Sequence, residues 1–139
     1  SIFYIASAPF EAARQASVLP HGHPSRYLHG HSFLAKIRAK EGAFKAPFPG
    51  SEVDTLATQL AHFVSPLNYA YLNDTIDVPT DENIARWVHA QAGEMEIESF
   101  GVQSTADQGV DLDEAGDAHI WRFLAFSPPY CLRLCLPAN

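Results

Sequence analysis

A strict alternation over residues 31–38 constrains the fold of this chain more than any other feature. The side chains that would share one face are His31, Phe33, Ala35 and Ile37, and those of the other face are Ser32, Leu34, Lys36 and Arg38. Successive side chains of a β-strand point to opposite faces of the sheet, so this segment predicts a strand with one mostly apolar face. That face has to be covered by another layer of structure.

Two segments have the helical period that can provide this layer. In residues 51–64 apolar side chains recur every three or four positions, and Ser51 is the predicted N-cap. Residues 80–93 predict a second helix, with Thr80 as N-cap and Gly93 as the stop. Both predicted helices have carboxylates in the first turn, where they favour the positive end of the helix dipole.

The remaining segments predict three further strands. Residues 2–13, 96–105 and 117–126 are β-prone, and the acidic segment 107–116 lacks the ligand order of an EF-hand, which predicts a solvated hairpin loop. The predicted order is β-β-α-α-β-β. We therefore predict an α+β domain over residues 1–126, in which a four-stranded antiparallel sheet carries two helices on one face.

Composition limits the partners and the compartment. The 139 residues suffice for one domain, and the net charge of −7, with nine scattered basic residues, argues against nucleic acid as a partner. No apolar run reaches the roughly 20 residues that span a membrane, and no basic leader is visible. Cys131 and Cys135 are too few for a disulfide scaffold, which favours the cytoplasm. They lie in an apolar tail, residues 127–139, which we expect to form a subunit contact.

Four histidines fall between residues 21 and 31 and suggest a metal site. In a strand His29 and His31 project to the same face, with Gly30 between them. Catalytic zinc usually takes three protein ligands and an open position, so this pair supplies two ligands, and His21 or His23 is a candidate third. A turn that carries histidines without a metal is the alternative.

Four motifs together resemble one enzyme family. In chain order they read "LHGHSF", "VDTL", "LNYAYLND" and "PTDENIARWV". Over about residues 4–126 the chain resembles the 6-pyruvoyl-tetrahydropterin synthase and 6-carboxytetrahydropterin synthase family. The resemblance implies the T-fold, in which trimers close a β-barrel and usually stack as hexamers. It also implies a zinc-dependent carbon–oxygen lyase that acts on 7,8-dihydroneopterin triphosphate.

The resemblance implies that two residues of this chain bind the metal and that the family's third metal ligand is replaced here. His29 and His31 match the zinc histidines of the family's H-G-H motif. The third zinc histidine of the family closes a motif that reads "FEAAR" here, so that position is Arg14, which cannot ligate zinc. His21 or His23 is the expected replacement. Arg14 has the alternative role of binding a phosphate or carboxylate.

The catalytic positions implied by the resemblance are also substituted. The family's cysteine base aligns with Ser25, its Asp–His proton relay with Asn68 and Tyr69, and its pterin-anchoring glutamate with Ser104, which precedes Thr105. A free serine such as Ser25 is a weak base, and neither Asn68 nor Tyr69 is a good base near neutral pH. Ser104 lacks the carboxylate that would hold two N–H groups of the ring.

These positions leave two principal functions open. The first is pterin lyase chemistry with a completed zinc site and a base that is not identified. The second is a catalytically silent T-fold subunit that binds a pterin-like or purine-like ring or serves beside an active relative. A hydrolase-like activity has no residue signature. The substituted catalytic positions favour the second function, because the groups that the reaction needs are replaced. The four motifs favour membership of the family.

Overall fold

The computed structural model describes residues 1–16 and 19–124 of the chain, so the predicted tail, residues 127–139, lies outside the described residues. The elements are β1 (Phe3–Arg14), β2 (His29–Lys40), α1 (Glu52–Val64), β3 (Ala70–Tyr71), α2 (Asp81–Gln91), β4 (Ser99–Thr105), β5 (Gln108–Leu112) and β6 (Ala118–Arg122). They form one sheet in the order β3-β1-β2-β4-β5-β6. Among the described residues no helix is both long and apolar enough to cross a lipid bilayer.

The centre of the sheet is the antiparallel pair of β1 and β2, whose register runs from Phe3 opposite Lys40 to Arg14 opposite His29. The predicted alternation is confirmed, because the alternate apolar side chains of β2 from Phe33 onward are buried and Ser32 is exposed. The rings of Phe33 and its cross-strand partner Phe10 are stacked, with centroids 4.9 Å apart. One face of the sheet is therefore the core face.

Both helices cover that core face, as predicted. α1 packs on β1 and β2, and α2 packs on β4 and β5. Their buried side chains are Leu56, Leu60 and Val64 of α1 and Ile84, Ala85 and Val88 of α2. The amphipathic period of each helix thus explains which side of the sheet it occupies.

The two predicted N-caps differ in outcome. The Thr80 hydroxyl accepts a hydrogen bond from the backbone N–H of Asn83 at 3.1 Å, which confirms this cap. Ser51 stands at the N-cap position of α1, but within the described residues its side chain makes no cap hydrogen bond. Its hydroxyl donates instead to the Phe48 carbonyl at 2.6 Å, in the turn that precedes the helix.

The prediction of a four-stranded, purely antiparallel sheet is wrong, because the sheet has six strands and β3 runs parallel to β1. The acidic segment predicted as a loop contains β5, in which Val110 and Leu112 are buried while Asp111 is exposed. The exposed Asp111 and the flanking Asp107 and Asp113 hide this alternation in the sequence. β3 has two residues, which is too short for any periodic pattern.

Asp113 organises the turn between β5 and β6. One of its carboxylate oxygens accepts hydrogen bonds from the backbone N–H groups of Ala115 and Asp117, at 3.0 and 2.9 Å. The other accepts from Nε2 of His119 at 2.9 Å. The hydrogen bond from His119 lowers the pKa of Asp113, and the same contact raises the pKa of His119.

We expect Asp113→Asn to bring the His119 pKa back down toward its ordinary value of 6.5, because the carboxylate partner is removed. In the native protein the raised pKa of His119 stabilises the fold below the unfolded-state pKa, and this contribution is lost as the pH rises through the folded value. The lowered pKa of Asp113 stabilises the fold above the unfolded-state pKa of the carboxyl, and this contribution is lost as the pH falls through the folded value. The pair therefore stabilises the turn between these two pKa values.

An NMR titration of the histidine rings measures this effect directly. The ring signals of His62, which is exposed on α1, are the internal control and should be unchanged by the substitution. A His119 pKa that is the same in native and variant protein would contradict the assigned contact.

Candidate functional site

His29 and His31 lie together at the start of β2, which begins at His29 and not at His31 as predicted. Their ring centroids are 4.8 Å apart and the ring planes are nearly perpendicular, at 87°. Nδ1 of His29 donates to the carbonyl of Tyr27 at 2.7 Å, which fixes the proton on that nitrogen because a carbonyl can only accept. The ring of His31 meets the Phe33 ring edge-on at 5.4 Å.

Arg14 lies directly opposite His29 across the strand pair. Its Nη1 donates to the Asp81 carboxylate at 2.6 Å and to the Pro79 carbonyl at 3.1 Å. The guanidinium also lies over the Phe33 ring, 5.2 Å from its centroid. Because the Arg14 and Asp81 side chains are only 12% and 14% exposed, this ion pair is partly shielded from water.

Asp81 extends this contact to β4. Its second carboxylate oxygen accepts from the Ser104 hydroxyl at 2.7 Å, and that hydroxyl accepts from Nε2 of Gln108 at 3.0 Å. Ser104 is 2% exposed. We call the connected side chains of Arg14, Asp81 and Ser104 the polar bridge, which ties β1 to α2 and β4.

A cavity of about 230 Å³ adjoins the polar bridge, and Arg14, His29, Asp81 and Gln108 are among its lining residues. Thr105, predicted beside Ser104 as a substrate-binding residue, is exposed at the end of β4. Its hydroxyl accepts from the backbone N–H of Asp107 at 3.1 Å, so it shapes the following turn. The structure therefore brings Arg14, His29, His31 and Ser104 into one corner and leaves Thr105 at its margin.

The residues of this corner do not fit a three-ligand zinc site. Within the described ranges no group of three histidine, cysteine or carboxylate side chains could hold a metal ion. His21 and His23 are exposed in the loop before β2. The position opposite His29 carries a cation, which repels a metal ion.

His31 has an unusual environment in this corner. Its Nε2 is buried and has no hydrogen-bond partner among the described residues. Burial lowers the pKa of His31, and the positive charge of Arg14 lowers that pKa further, with partial opposition from Asp81. A lowered pKa favours the neutral imidazole, which is the form that binds ligands through a lone pair.

Two of the other predicted catalytic positions adjoin this corner, because Tyr69 lines one cavity together with His31 and Asn68 precedes Tyr69 in the chain. The Asn68 side-chain oxygen accepts from the backbone N–H of Glu11 at 3.0 Å, and the backbone N–H of Tyr69 donates to the Glu11 carbonyl at 2.5 Å. Tyr69 has a φ of 58° and its side chain is 84% exposed. Ser25 lies in a single 3-10 turn, Pro24–Arg26.

A larger cavity of about 530 Å³ opens beside Tyr69. Its lining includes the cross-strand pairs Glu11–Ser32, Ala12–His31 and Ala13–Gly30, together with Tyr69 and Tyr71. Two residues that the sequence analysis singled out, His31 and Tyr69, line this cavity, but its other walls were not predicted. It depends on β3, which has no periodic pattern, and on the unusual backbone of Tyr69.

Comparison with known proteins identifies the family. Residues 5–106 match the family model described as 6-pyruvoyl tetrahydropterin synthase. The fold is similar to the structure of Caenorhabditis elegans 6-pyruvoyl tetrahydropterin synthase, with a TM-score of 0.59 and 12% identity over 88% of this chain and 96% of that one. It is also similar to an uncharacterized protein from Wolinella succinogenes, with a TM-score of 0.51 and 13% identity over 81% of this chain and 99% of that one.

The two kinds of comparison support different statements. At these identities the solved structures establish the shared α+β T-fold, here with six strands in the sheet. The family model covers most of the chain, including β1, both helices and the His29–His31 motif. The chain therefore belongs to the 6-pyruvoyl tetrahydropterin synthase family.

Proposed function

We propose that this protein binds a pterin-like or purine-like ring without carrying out the zinc-dependent lyase reaction. The observation that carries this proposal is the ion pair of Arg14 with Asp81, whose atoms are 2.6 Å apart in a partly buried corner. A metal ion beside His29 and His31 would have to tolerate this guanidinium or displace it from its carboxylate. Either event costs free energy, because a shielded cation would be left next to a dication or without its partner.

The residues at the catalytic positions support the same proposal. A lyase that takes a proton from carbon needs a positioned base. Asn68 uses its side-chain oxygen to bind the Glu11 backbone, which is a structural role. Ser104 stands at the substrate-binding position and not at that of the base, and its hydroxyl donates to Asp81 within the polar bridge.

Ring binding is supported by the size of the larger cavity and by the polar and aromatic side chains that line it. The cavity of about 530 Å³ lies within the usual range for small-molecule sites, roughly 300–1,000 Å³. Its lining combines a carboxylate, a hydroxyl, the imidazole of His31 and two tyrosines, which suits a planar polar ring. These features do not depend on a metal.

Two measurements on the full chain test the proposal. Calorimetry with neopterin should show binding, whereas incubation with 7,8-dihydroneopterin triphosphate and added zinc should leave the substrate unconsumed. The double variant His29→Ala/His31→Ala is the control for any metal-dependent background. Zinc-dependent consumption that disappears in this variant would overturn the proposal.

One observation favours the zinc lyase as a second candidate. The buried Nε2 of His31 has no partner among the described residues, and Nδ1 of His29 donates to Tyr27, which in a neutral imidazole leaves Nε2 as the acceptor nitrogen. Two lone pairs at one corner are suited to a metal that takes its remaining ligands from outside the chain. Zinc-dependent turnover in the assay above would establish this candidate.

A further inference from the structure

We propose that a cavity between the start of β1 and the start of α1 binds a small organic cation whose charge is carried by an alkylated ammonium group. Three aromatic side chains and two carboxylates are among the residues that line this cavity: Tyr4, Phe44, Phe48, Glu41 and Glu52. We call these five residues the aromatic cage. The inference is independent of the proposed function, because it concerns another part of the molecule.

The aromatic cage lies far from the corner that holds the polar bridge. Tyr4 is near the first residue of β1, whereas Arg14 is the last residue of the same strand. The two residues are ten positions apart, and a strand rises about 3.3 Å per residue, so roughly 30 Å separate them. The described residues that line the cage cavity line neither of the two cavities near His29 and His31. The cage is therefore a separate site.

Two of the rings form a fixed wall of the cavity. The ring centroids of Tyr4 and Phe44 are 5.9 Å apart and the ring planes make an angle of 77°, which is an edge-to-face contact. Both side chains are half-buried and pack against the hydrophobic core. This wall is thus held in place without a ligand.

Phe48 provides a third ring on a backbone that is also held in place. Its N–H donates to the Ser51 hydroxyl at 3.3 Å, and its carbonyl accepts from that hydroxyl at 2.6 Å. Pro47 and Pro49 flank it, and each proline ring fixes its own φ. The Phe48 side chain is nevertheless 65% exposed. An exposed ring on a restrained backbone loses little freedom when a ligand contacts it, which favours binding.

The two carboxylates give the cage a negative charge that the described part of the chain leaves unpaired. The described residues that line the cavity include no lysine, arginine or histidine, and no ion pair between described residues involves Glu41 or Glu52. One oxygen of Glu52 accepts from the backbone N–H of Gly50 at 2.8 Å, which orients this group. Partial burial raises the pKa of Tyr4, and the negative charges of Glu52 and Glu41 raise that pKa further. A cationic ligand would offset this excess of negative charge.

The size and the lining of the cavity select the kind of cation. Its volume of about 270 Å³ is slightly below the usual range for small-molecule sites, roughly 300–1,000 Å³, so the bound group is small. A plain lysine ammonium is compact and strongly hydrated, whereas methylation spreads the charge over apolar surface that aromatic rings can contact. The matching group is a quaternary ammonium, which free choline and a trimethylated lysine side chain both carry.

An NMR titration of the full chain with choline at constant ionic strength tests this site. The neutral isostere 3,3-dimethylbutanol separates the charge from apolar burial and should bind about tenfold more weakly than choline. We expect Phe48→Ala and Glu41→Gln each to weaken choline binding about fivefold, because one ring contact or one charge is lost.

Two exposed residues outside the cage provide the matched controls. Phe123 is 64% exposed at the end of β6, and Glu94 is exposed after α2. Phe123→Ala and Glu94→Gln should bind choline within about twofold of native protein, because neither residue lines the cage cavity. Melting temperatures of all four variants show whether a loss of binding reflects a loss of folding.

Each outcome decides a part of the inference. Weaker binding in both cage variants at unchanged melting temperatures supports the site. A comparison of choline with N-acetyl-trimethyllysine amide then identifies the source of the ammonium group, as a free cation or a protein side chain, by the tighter binder. Equal binding of choline and 3,3-dimethylbutanol overturns the proposal, because the cavity would then select apolar volume and not charge. The absence of choline binding, or binding that neither cage variant changes, also overturns it.

Discussion

Replacing Arg14 by leucine is expected to lower the free energy of unfolding by about 3 kcal/mol, because it leaves a shielded carboxylate without its cation. Asp81 is only 14% exposed and would keep a single hydroxyl donor, Ser104, from the polar bridge. The variant also loses the hydrogen bond to the Pro79 carbonyl and the contact with the Phe33 ring. Urea denaturation measures the change.

Arg86→Leu is the matched control. Arg86 forms an ion pair with Glu82 at 3.1 Å on α2, but its side chain is 45% exposed. An exposed pair of this kind contributes about 0.3–0.5 kcal/mol, so the control should differ from native protein by less than about 1 kcal/mol. Equal losses in the two variants would show that the polar bridge is no more stabilising than a surface contact.

Replacing Phe33 by alanine is expected to cost about 4 kcal/mol, because it opens a cavity in the closely packed centre of the sheet. Phe33 is 1% exposed, and its ring stacks on Phe10 with an interplanar angle of 7°. The same ring contacts His31 and lies under Arg14, so the variant removes the support of the whole corner.

Phe48→Ala provides the comparison for this variant. Phe48 is 65% exposed in the segment before α1, and its truncation should change the free energy of unfolding by less than about 0.5 kcal/mol. Denaturation curves of the two alanine variants test the assignment. A loss below about 1.5 kcal/mol for Phe33→Ala would mean that the centre of the sheet is packed more loosely than described.

The regular elements were predictable because burial on one side of an element leaves a period in the sequence. The alternation from His31 to Ile37 gave β2, and the spacing of apolar residues gave both helices. β5 was not predicted, because Asp111 on its exposed face and the acidic residues that flank the strand resemble a loop. β3 was not predicted, because a two-residue strand is defined by its pairing with β1 and has no sequence pattern of its own.

The candidate site was predictable only in part, for a different reason. The shared face of His29 and His31 follows from the strand period, which is local information. The partner of Arg14 is 67 residues away in the chain, and Asp81 looked like an ordinary acidic residue in the first turn of a helix. The cavity of about 530 Å³ depends on the backbone of Tyr69, which only the hydrogen bonds to Glu11 explain.

Zinc stoichiometry tests the central claim, that Arg14 and Asp81 stand where a metal corner would otherwise form. The native chain and Arg14→His are incubated with zinc, freed of excess metal, and measured by elemental mass spectrometry. Native protein is predicted to hold far less than one zinc per chain, whereas the variant, with three imidazoles on one face, is predicted to approach about one. About one zinc per chain in the native protein, lost in His29→Ala, would contradict the claim.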